Sequence, residues 1–222
     1  MTSTIVFDFD GTLALGAGPV LAYARLIAPH VDDAYLGEVE AALTAFEAGE
    51  SDYRDGYDTV ATVALAHGAS ADVMDAAYAE SRSLLGTPDA PVTTIPDLPG
   101  FLASLGDDTR LVLATNAPGV GIDRVLAEWG VADAFDELHF AVGKPVGLTA
   151  LISAALELGP VLSVGDIVVN DLAPAIELGA HTALVGVTAS RSDAPVTMRG
   201  ETLHALRSDI LAWAAAARTP VH

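Results

Sequence analysis

A chain of 222 residues is long enough for one α/β domain of ordinary size with a smaller insertion, and its 51% hydrophobic and 18% charged content belongs to a globular protein. Thirty acidic against ten basic residues leave a formal net charge of −20, which repels polyanions and argues against nucleic acid and anionic membrane surfaces as partners. No cysteine is present, so disulfides, thiolate metal sites and cysteine nucleophiles are ruled out; no apolar run is long enough to cross a bilayer and no basic leader precedes Ile5, so the cytoplasm is the expected location.

The first apolar run, Ile5 to Phe7, reads as a buried parallel strand, because a strand covered on both faces is apolar throughout. The next such run does not begin until Leu111, far beyond what a simple crossover needs. Between them Leu36, Val39, Leu43 and Phe46 form one helical stripe, and Tyr57, Val60, Ala61 and Ala64 form another. Hinge-like sequence bounds this segment: Gly16-Ala17-Gly18-Pro19 before it and the proline-rich stretch Pro88 to Pro99 after it. Residues 16–95 are therefore expected to be a helical cap inserted over the carboxyl ends of the strands, with residues 1–15 and 96–222 forming the core. Further strands are predicted at Leu111–Ala114, Leu138–Phe140, Val161–Val164 and Thr182–Val185. Helices carrying Ile122, Val125, Leu126 and Trp129, and then Leu148, Leu151, Ile152 and Ala155, alternate with them. The alternation predicts an α/β fold with a doubly wound parallel sheet, closed by a helix around Leu206 to Ala217.

Four short motifs fall where a predicted strand gives way to the next helix, the edge at which open α/β sheets bind ligands. The first is Phe7-Asp8-Phe9-Asp10-Gly11-Thr12. Residues i and i+2 of an extended segment point the same way, so Asp8 and Asp10 can face one site. One carboxylate can attack phosphorus; the other can protonate a leaving oxygen and then deprotonate water. Taken alone, the motif reads equally well as two solvated acids in a turn. The second is Thr115-Asn116, whose hydroxyl and amides can hold phosphate oxygens. The third is Gly143-Lys144-Pro145, and Lys144 is the only lysine in the chain. A cation is needed to hold a phosphate dianion against an anionic nucleophile. The fourth is Gly165-Asp166-Ile167-Val168-Val169-Asn170-Asp171, in which two acids flank a strand-to-helix turn. Mg²⁺ takes oxygen ligands and keeps several waters, so one or two such carboxylates suffice.

In this order and on these elements, Asp-x-Asp-Gly-Thr, Thr-Asn, Lys-Pro and Gly-Asp-x4-Asp resemble the haloacid dehalogenase superfamily over the whole chain, helical cap included. The resemblance implies a Mg²⁺-dependent phosphomonoester hydrolase acting on a small phosphorylated metabolite through an aspartyl-phosphate intermediate. It implies Asp8 as nucleophile and metal ligand, and Asp10 as acid/base with its backbone carbonyl on the metal. Asp166 becomes the second metal carboxylate. Thr115 and the Asn116 amide become phosphate ligands, and Lys144 the bridge between Asp8 and phosphate. Thr12 and Asp171 become supports that orient these groups. Dehalogenases of the superfamily typically lack the acid at the position of Asp10, and phosphonatases need a cap lysine that this chain does not have. A sugar phosphomutase of the same superfamily and, on the same fold, a non-catalytic partner-binding protein are the alternatives.

Tyr23, Tyr35, Tyr53, Tyr57 and Tyr78 are expected to pack in the small core of residues 16–95 and at its boundary. Arg25, Arg54 and Arg82, the only bases of that segment, are expected to be surface ion-pair partners, with Arg54 the candidate for substrate specificity. The same segment carries thirteen acids, a formal charge of −10, which favours a neutral or cationic leaving group. The histidines show no metal-ligand spacing, and Trp129 and Trp213 are expected in the core.

Overall fold

The computed structural model describes residues 2–187 and 189–218. The elements run β1 (Ser3–Phe7), α1 (Gly18–Ile27), α2 (Tyr35–Ala48), α3 (Gly56–Ala66), α4 (Ala71–Ser83) and α5 (Leu98–Ser104). Then follow β2 (Thr109–Ala114), α6 (Ile122–Glu128), β3 (Glu137–His139), α7 (Val146–Leu156) and β4 (Val161–Gly165). The chain ends with α8 (Ala173–Glu177), β5 (His181–Leu184), β6 (Met198–Arg199) and α9 (Arg207–Ala217). Two compact units result: one of Met1–Leu15, Thr94–Gly119 and Leu126–His222, the other of Gly16–Thr93 and Val120–Val125.

In the first unit the described strands form a six-stranded parallel sheet in the order β3-β2-β1-β4-β5-β6. The order reverses beside β1, and that switch is where a doubly wound sheet opens a crevice for ligand. β1 lies between β2 and β4, with Ile5 opposite Leu111 on one side and Leu162 on the other. All five of its residues are buried, and Ile5, Val6 and Phe7 form the apolar run that follows the buried hydroxyls of Ser3 and Thr4. On one side of the sheet Val6, Val112 and Val161 pack with Leu148, Ile152 and Ala155 of α7. Of the predicted strands, the third and the fifth each begin and end one residue earlier than expected, Phe140 and Val185 lying beyond the paired residues. β6, two residues long, has no apolar run to announce it. Trp129 and Trp213 are half-buried rather than central. Trp129 stacks on Phe9 at 6.1 Å between centroids, and Trp213 meets His181 edge-on at 6.0 Å.

The second unit is helical. Asp55 caps α3 by accepting the Asp58 amide at 2.7 Å, Ser70 caps α4, and Gly49 ends α2 in the left-handed conformation at φ 71°. Its core joins Tyr23, Ala24, Ile27, Tyr35, Val39, Val60 and Ala64. The α2 stripe is rotated from the predicted one: Tyr35 and Val39 are buried, whereas Leu36 is exposed. Tyr23, Tyr57 and Tyr78 form a mutual aromatic cluster with centroids 5.5 to 6.1 Å apart. Arg82 corrects an expectation. It is wholly buried, not a surface residue, and its Nη1 donates to the Tyr57 hydroxyl at 3.2 Å. It lies on the inward face of α4 with Ala77 and Ser81, where tyrosines offer both an apolar wall and a polar end. Arg25 donates to the Asp89 carbonyl at 2.6 Å, and Arg54 pairs with Asp58 at 3.2 Å on the surface. His67 lies between two acids, Nδ1 at 2.8 Å from Asp32 and Nε2 at 3.1 Å from Glu38, with Tyr35 edge-on at 5.6 Å.

Candidate active site

β1 delivers the first carboxylate. Asp8 follows Phe7 directly, and its amide bonds the Val164 carbonyl of β4 at 2.9 Å, which fixes it at the central seam of the sheet. The chain then turns back sharply. The Phe9 carbonyl accepts the amides of Thr12, Leu13 and Ala14 at 3.3, 3.0 and 2.8 Å, and Gly11 N bonds Ala14 O at 2.9 Å. Asp10 sits half-buried in this turn. Gly11 has φ +84°, and a Cβ on it would overlap the Asp166 carboxylate, so glycine is required for both backbone and space. Thr12 is fully buried, and its hydroxyl has no hydrogen-bond partner among the described residues.

The end of β2 and the loop after β3 are laced together. Thr115 is buried; its amide bonds the His139 carbonyl at 3.0 Å and its carbonyl accepts the Val142 amide at 3.1 Å. Ala141 N bonds Ala117 O at 3.0 Å, and the Asn116 side-chain oxygen accepts the Lys144 amide at 2.7 Å. Thr115 Oγ1 accepts the Ala117 amide at 3.0 Å, which leaves its own proton to donate.

This lacing presents the sole lysine to two carboxylates. Lys144 Nζ lies 2.6 Å from Asp8 Oδ1 and 2.7 Å from Asp171 Oδ1, and its side chain is only 2% exposed. Asp171 arrives from a single wide helical turn, Val168–Leu172, directly after the extended Ile167. Its second oxygen accepts the Ile167 amide at 2.9 Å, and its backbone carbonyl accepts the Ser163 hydroxyl at 2.7 Å. Gly165 makes room for it: a Cβ there would overlap Asp171. Asp171, assigned by resemblance to a supporting role, thus touches Lys144 directly.

Two carboxylates share one ammonium in a buried place, so one is short of counter-charge. Burial pushes the Asp171 carboxyl up, to about 7, and the Asp8 carboxylate adds to this against the pull of Lys144. For Lys144 burial opposes the charged form, but Asp8 and Asp171 outweigh it and the ammonium is held above its ordinary range. Carboxylate oxygens of Asp8, Asp166 and Asp171 all lie within 4.8 Å of one another. Three carboxylates against one ammonium leave a formal excess of two negative charges. An all-oxygen donor set with that excess fits a hard divalent cation such as Mg²⁺. Both oxygens of Asp171 are engaged, by Lys144 and by the Ile167 amide, whereas the Asp8 contact with Lys144 uses Oδ1.

Asp8, Lys144, Asp166 and Asp171 are therefore brought together, with Thr115 and Asn116 on the loop that anchors Lys144 and with Asp10 and Thr12 in the turn after Asp8. Arg54 belongs to the other unit, where its side chain is 62% exposed. Sequence reasoning missed Ser163, and it named Gly165 only as part of the fourth motif, not for the room it leaves Asp171. The lone hydroxyl inside the apolar run Val161–Val164 was the available signal.

No protein-family model matches the chain, and no curated protein does. Solved structures do. YfnB from Bacillus subtilis, named a HAD-hydrolase and bound to magnesium, superposes with a TM-score of 0.61 at 18% identity, over 94% of this chain and 98% of that one. A HAD phosphatase from Thermococcus onnurineus gives a TM-score of 0.53 at 18% identity, over 94% and 97% of the two chains. A 2-haloacid dehalogenase from Pseudomonas syringae pv. Tomato DC3000 gives a TM-score of 0.56 at 18% identity, over 96% and 99%. Phosphatase and dehalogenase share this architecture, so its presence does not choose between attack on phosphorus and attack on carbon. What the sheet order and these superpositions establish together is that the chain carries the haloacid dehalogenase fold.

Proposed function

We propose that the protein is a Mg²⁺-dependent phosphomonoester hydrolase acting on a small phosphorylated metabolite. The observation that carries this reading is Lys144 Nζ bridging Asp8 and Asp171 within hydrogen-bond distance, with Asp166 beside them. An ammonium held against a nucleophilic carboxylate suits a dianionic phosphoryl group, whose oxygens it draws toward that carboxylate. Asp8 attacks phosphorus, and the bond to the ester oxygen breaks as Asp10 protonates it. Asp10 then takes a proton from water, whose oxygen attacks the aspartyl-phosphate and releases phosphate and free Asp8. An alkoxide needs that acid and a halide does not, so Asp10 favours phosphoryl chemistry. Thr115 donates its hydroxyl proton, and Asn116 its amide, to phosphate oxygens. Asp8, Asp166 and the Asp10 carbonyl would hold Mg²⁺, whose positive charge would offset repulsion between Asp8 and the phosphate. Thr12 and Asp171 support these groups, and residues 16–95 take the role of a specificity cap.

Purified protein should hydrolyse para-nitrophenyl phosphate with Mg²⁺, lose activity in EDTA and regain it when Mg²⁺ returns. Asp8→Asn should lower kcat by about three orders of magnitude or more without unfolding the chain, because an amide is a poor nucleophile. Activity in excess chelator, or near-parent activity of Asp8→Asn after deamidation is excluded, refutes the reading.

A further inference from the structure

Ser163 lies in the middle of β4, 1% exposed, among Val161, Leu162 and Val164. A buried hydroxyl on an apolar strand needs a partner, and strands that pack on both faces ordinarily avoid one. It donates here to the Asp171 carbonyl at 2.7 Å, eight residues further on in the wide turn. The turn closes through the Ala173 amide on the Val168 carbonyl. The Asp171 carbonyl is instead held by the strand.

Asp171 is consequently held by three hydrogen bonds: its carbonyl accepts from Ser163, its amide donates to the Ile167 carbonyl at 2.8 Å, and its Oδ2 accepts from the Ile167 amide, while Gly165 leaves a space that any Cβ would fill. The remaining oxygen, Oδ1, is the one on Lys144. The lysine stem has four rotatable bonds, and among the described residues its ammonium is held by Asp8 Oδ1 and Asp171 Oδ1 alone. The position of Asp171 Oδ1 is therefore one of the two that set where Nζ sits.

We propose that Ser163 is a positioning residue, which by tying the Asp171 carbonyl to β4 sets the Asp171 carboxylate and through it the Lys144 ammonium on Asp8. The proposal rests on the phosphatase reading for its kinetic consequence but not for its geometric one. Ser163 touches neither substrate nor metal in it.

The test uses the full chain and exploits its single lysine. Growth on ¹³C-lysine gives one Cε cross-peak, that of Lys144, whose position and width at fixed pH report the ammonium's surroundings whether or not the protein turns over. Ser163→Ala should move or broaden that peak. It should lower kcat for para-nitrophenyl phosphate by roughly two- to tenfold, the worth of one buried hydrogen bond, with KM little changed. Ser163→Thr should restore both. Ser3→Ala is the control: it removes another buried strand hydroxyl, one that bonds Thr109 at 3.3 Å, and should change neither readout. If Ser163→Ala does not fold, Ser163→Cys keeps the volume with a weaker donor and should give the same effects in smaller measure. An unmoved peak in a folded variant, an equal effect of Ser3→Ala, or no recovery in Ser163→Thr overturns the proposal. A parent without phosphatase activity whose Lys144 peak still responds to Ser163 alone refutes the function and leaves the positioning role standing.

Discussion

Asp10 and Gly11 carry different kinds of constraint in the same turn. If Asp10 is acid and then base, its value depends on the leaving group. Asp10→Asn should depress turnover of alkyl phosphates far more than that of activated aryl phosphates, whose leaving groups need little protonation. Equal losses for the two classes, measured as kcat, would remove Asp10 from that role. Gly11 acts by absence. Alanine there would force a left-handed backbone on a residue with a Cβ and push that carbon into the Asp166 carboxylate. Gly11→Ala should raise the Mg²⁺ concentration for half-maximal activity by about tenfold or more, and calorimetric titration with Mg²⁺ should show the same loss. Unchanged Mg²⁺ affinity in a folded variant would separate Asp166 from the metal. The residues that the structure gathers were legible because each is announced by its immediate neighbours: Asp8 by Asp10 and Gly11, Lys144 by Pro145, Asp166 by Gly165. Arg82 was not, since nothing local marks a guanidinium whose partner lies 25 residues away, and Ser163 showed only as a lone hydroxyl in an apolar run, its partner eight residues on.

At the scale of elements, the His67 cluster ties the end of α3 to the start of α2 and the loop before it. Each ring nitrogen faces a carboxylate, an arrangement only the imidazolium satisfies on both sides. Hydrogen bonds to Glu38 first and Asp32 second hold the His67 pKa above its ordinary value of about 6.5. A raised folded pKa means stability that is complete below about 6.5 and lost as pH climbs through the folded value. Asp32 is displaced the opposite way, chiefly by His67 and then by the Ala34 amide, so its share is present above the ordinary carboxylate range and fades in acid. The thermal midpoint of the chain should therefore fall on going from about pH 6 into the alkaline range, and His67→Gln should flatten that limb. A parent and variant with parallel pH profiles would show that the cluster contributes nothing. Periodicity exposed the helices themselves but not this latch, because histidines at unrelated spacings carry no signal until the helices pack. The same limit applies to the sheet. β1, β2, β4 and β5 rest on apolar runs and were readable, the edge strand β3 was read from a weaker run one residue late, and only the two-residue β6 has too little burial to leave a pattern.

For the molecule as a whole, the formal charge of −20 acts on every approaching phosphate. A uniform negative potential lowers the local concentration of an anionic substrate, and salt relieves it as the screening length shrinks from about 30 Å at 0.01 M to about 8 Å at 0.15 M. kcat/KM for a phosphate dianion at constant free Mg²⁺ should accordingly rise with NaCl over that range, the reverse of the behaviour of enzymes with basic funnels. The effect should steepen with a second anionic group. Residues 16–95 contribute −10 of the total and only three arginines, so glycerol phosphate is expected to be the better substrate and phosphoglycolate the more salt-sensitive one. Arg54 is the counter-argument in the chain itself, an exposed guanidinium paired only loosely with Asp58 at 3.2 Å and free to turn to a carboxylate. A preference for phosphoglycolate that vanishes in Arg54→Ala would mean that one directed bidentate contact outweighs the summed field. A kcat/KM that falls with salt for both esters would mean that the Lys144 site, not the surface charge, governs capture.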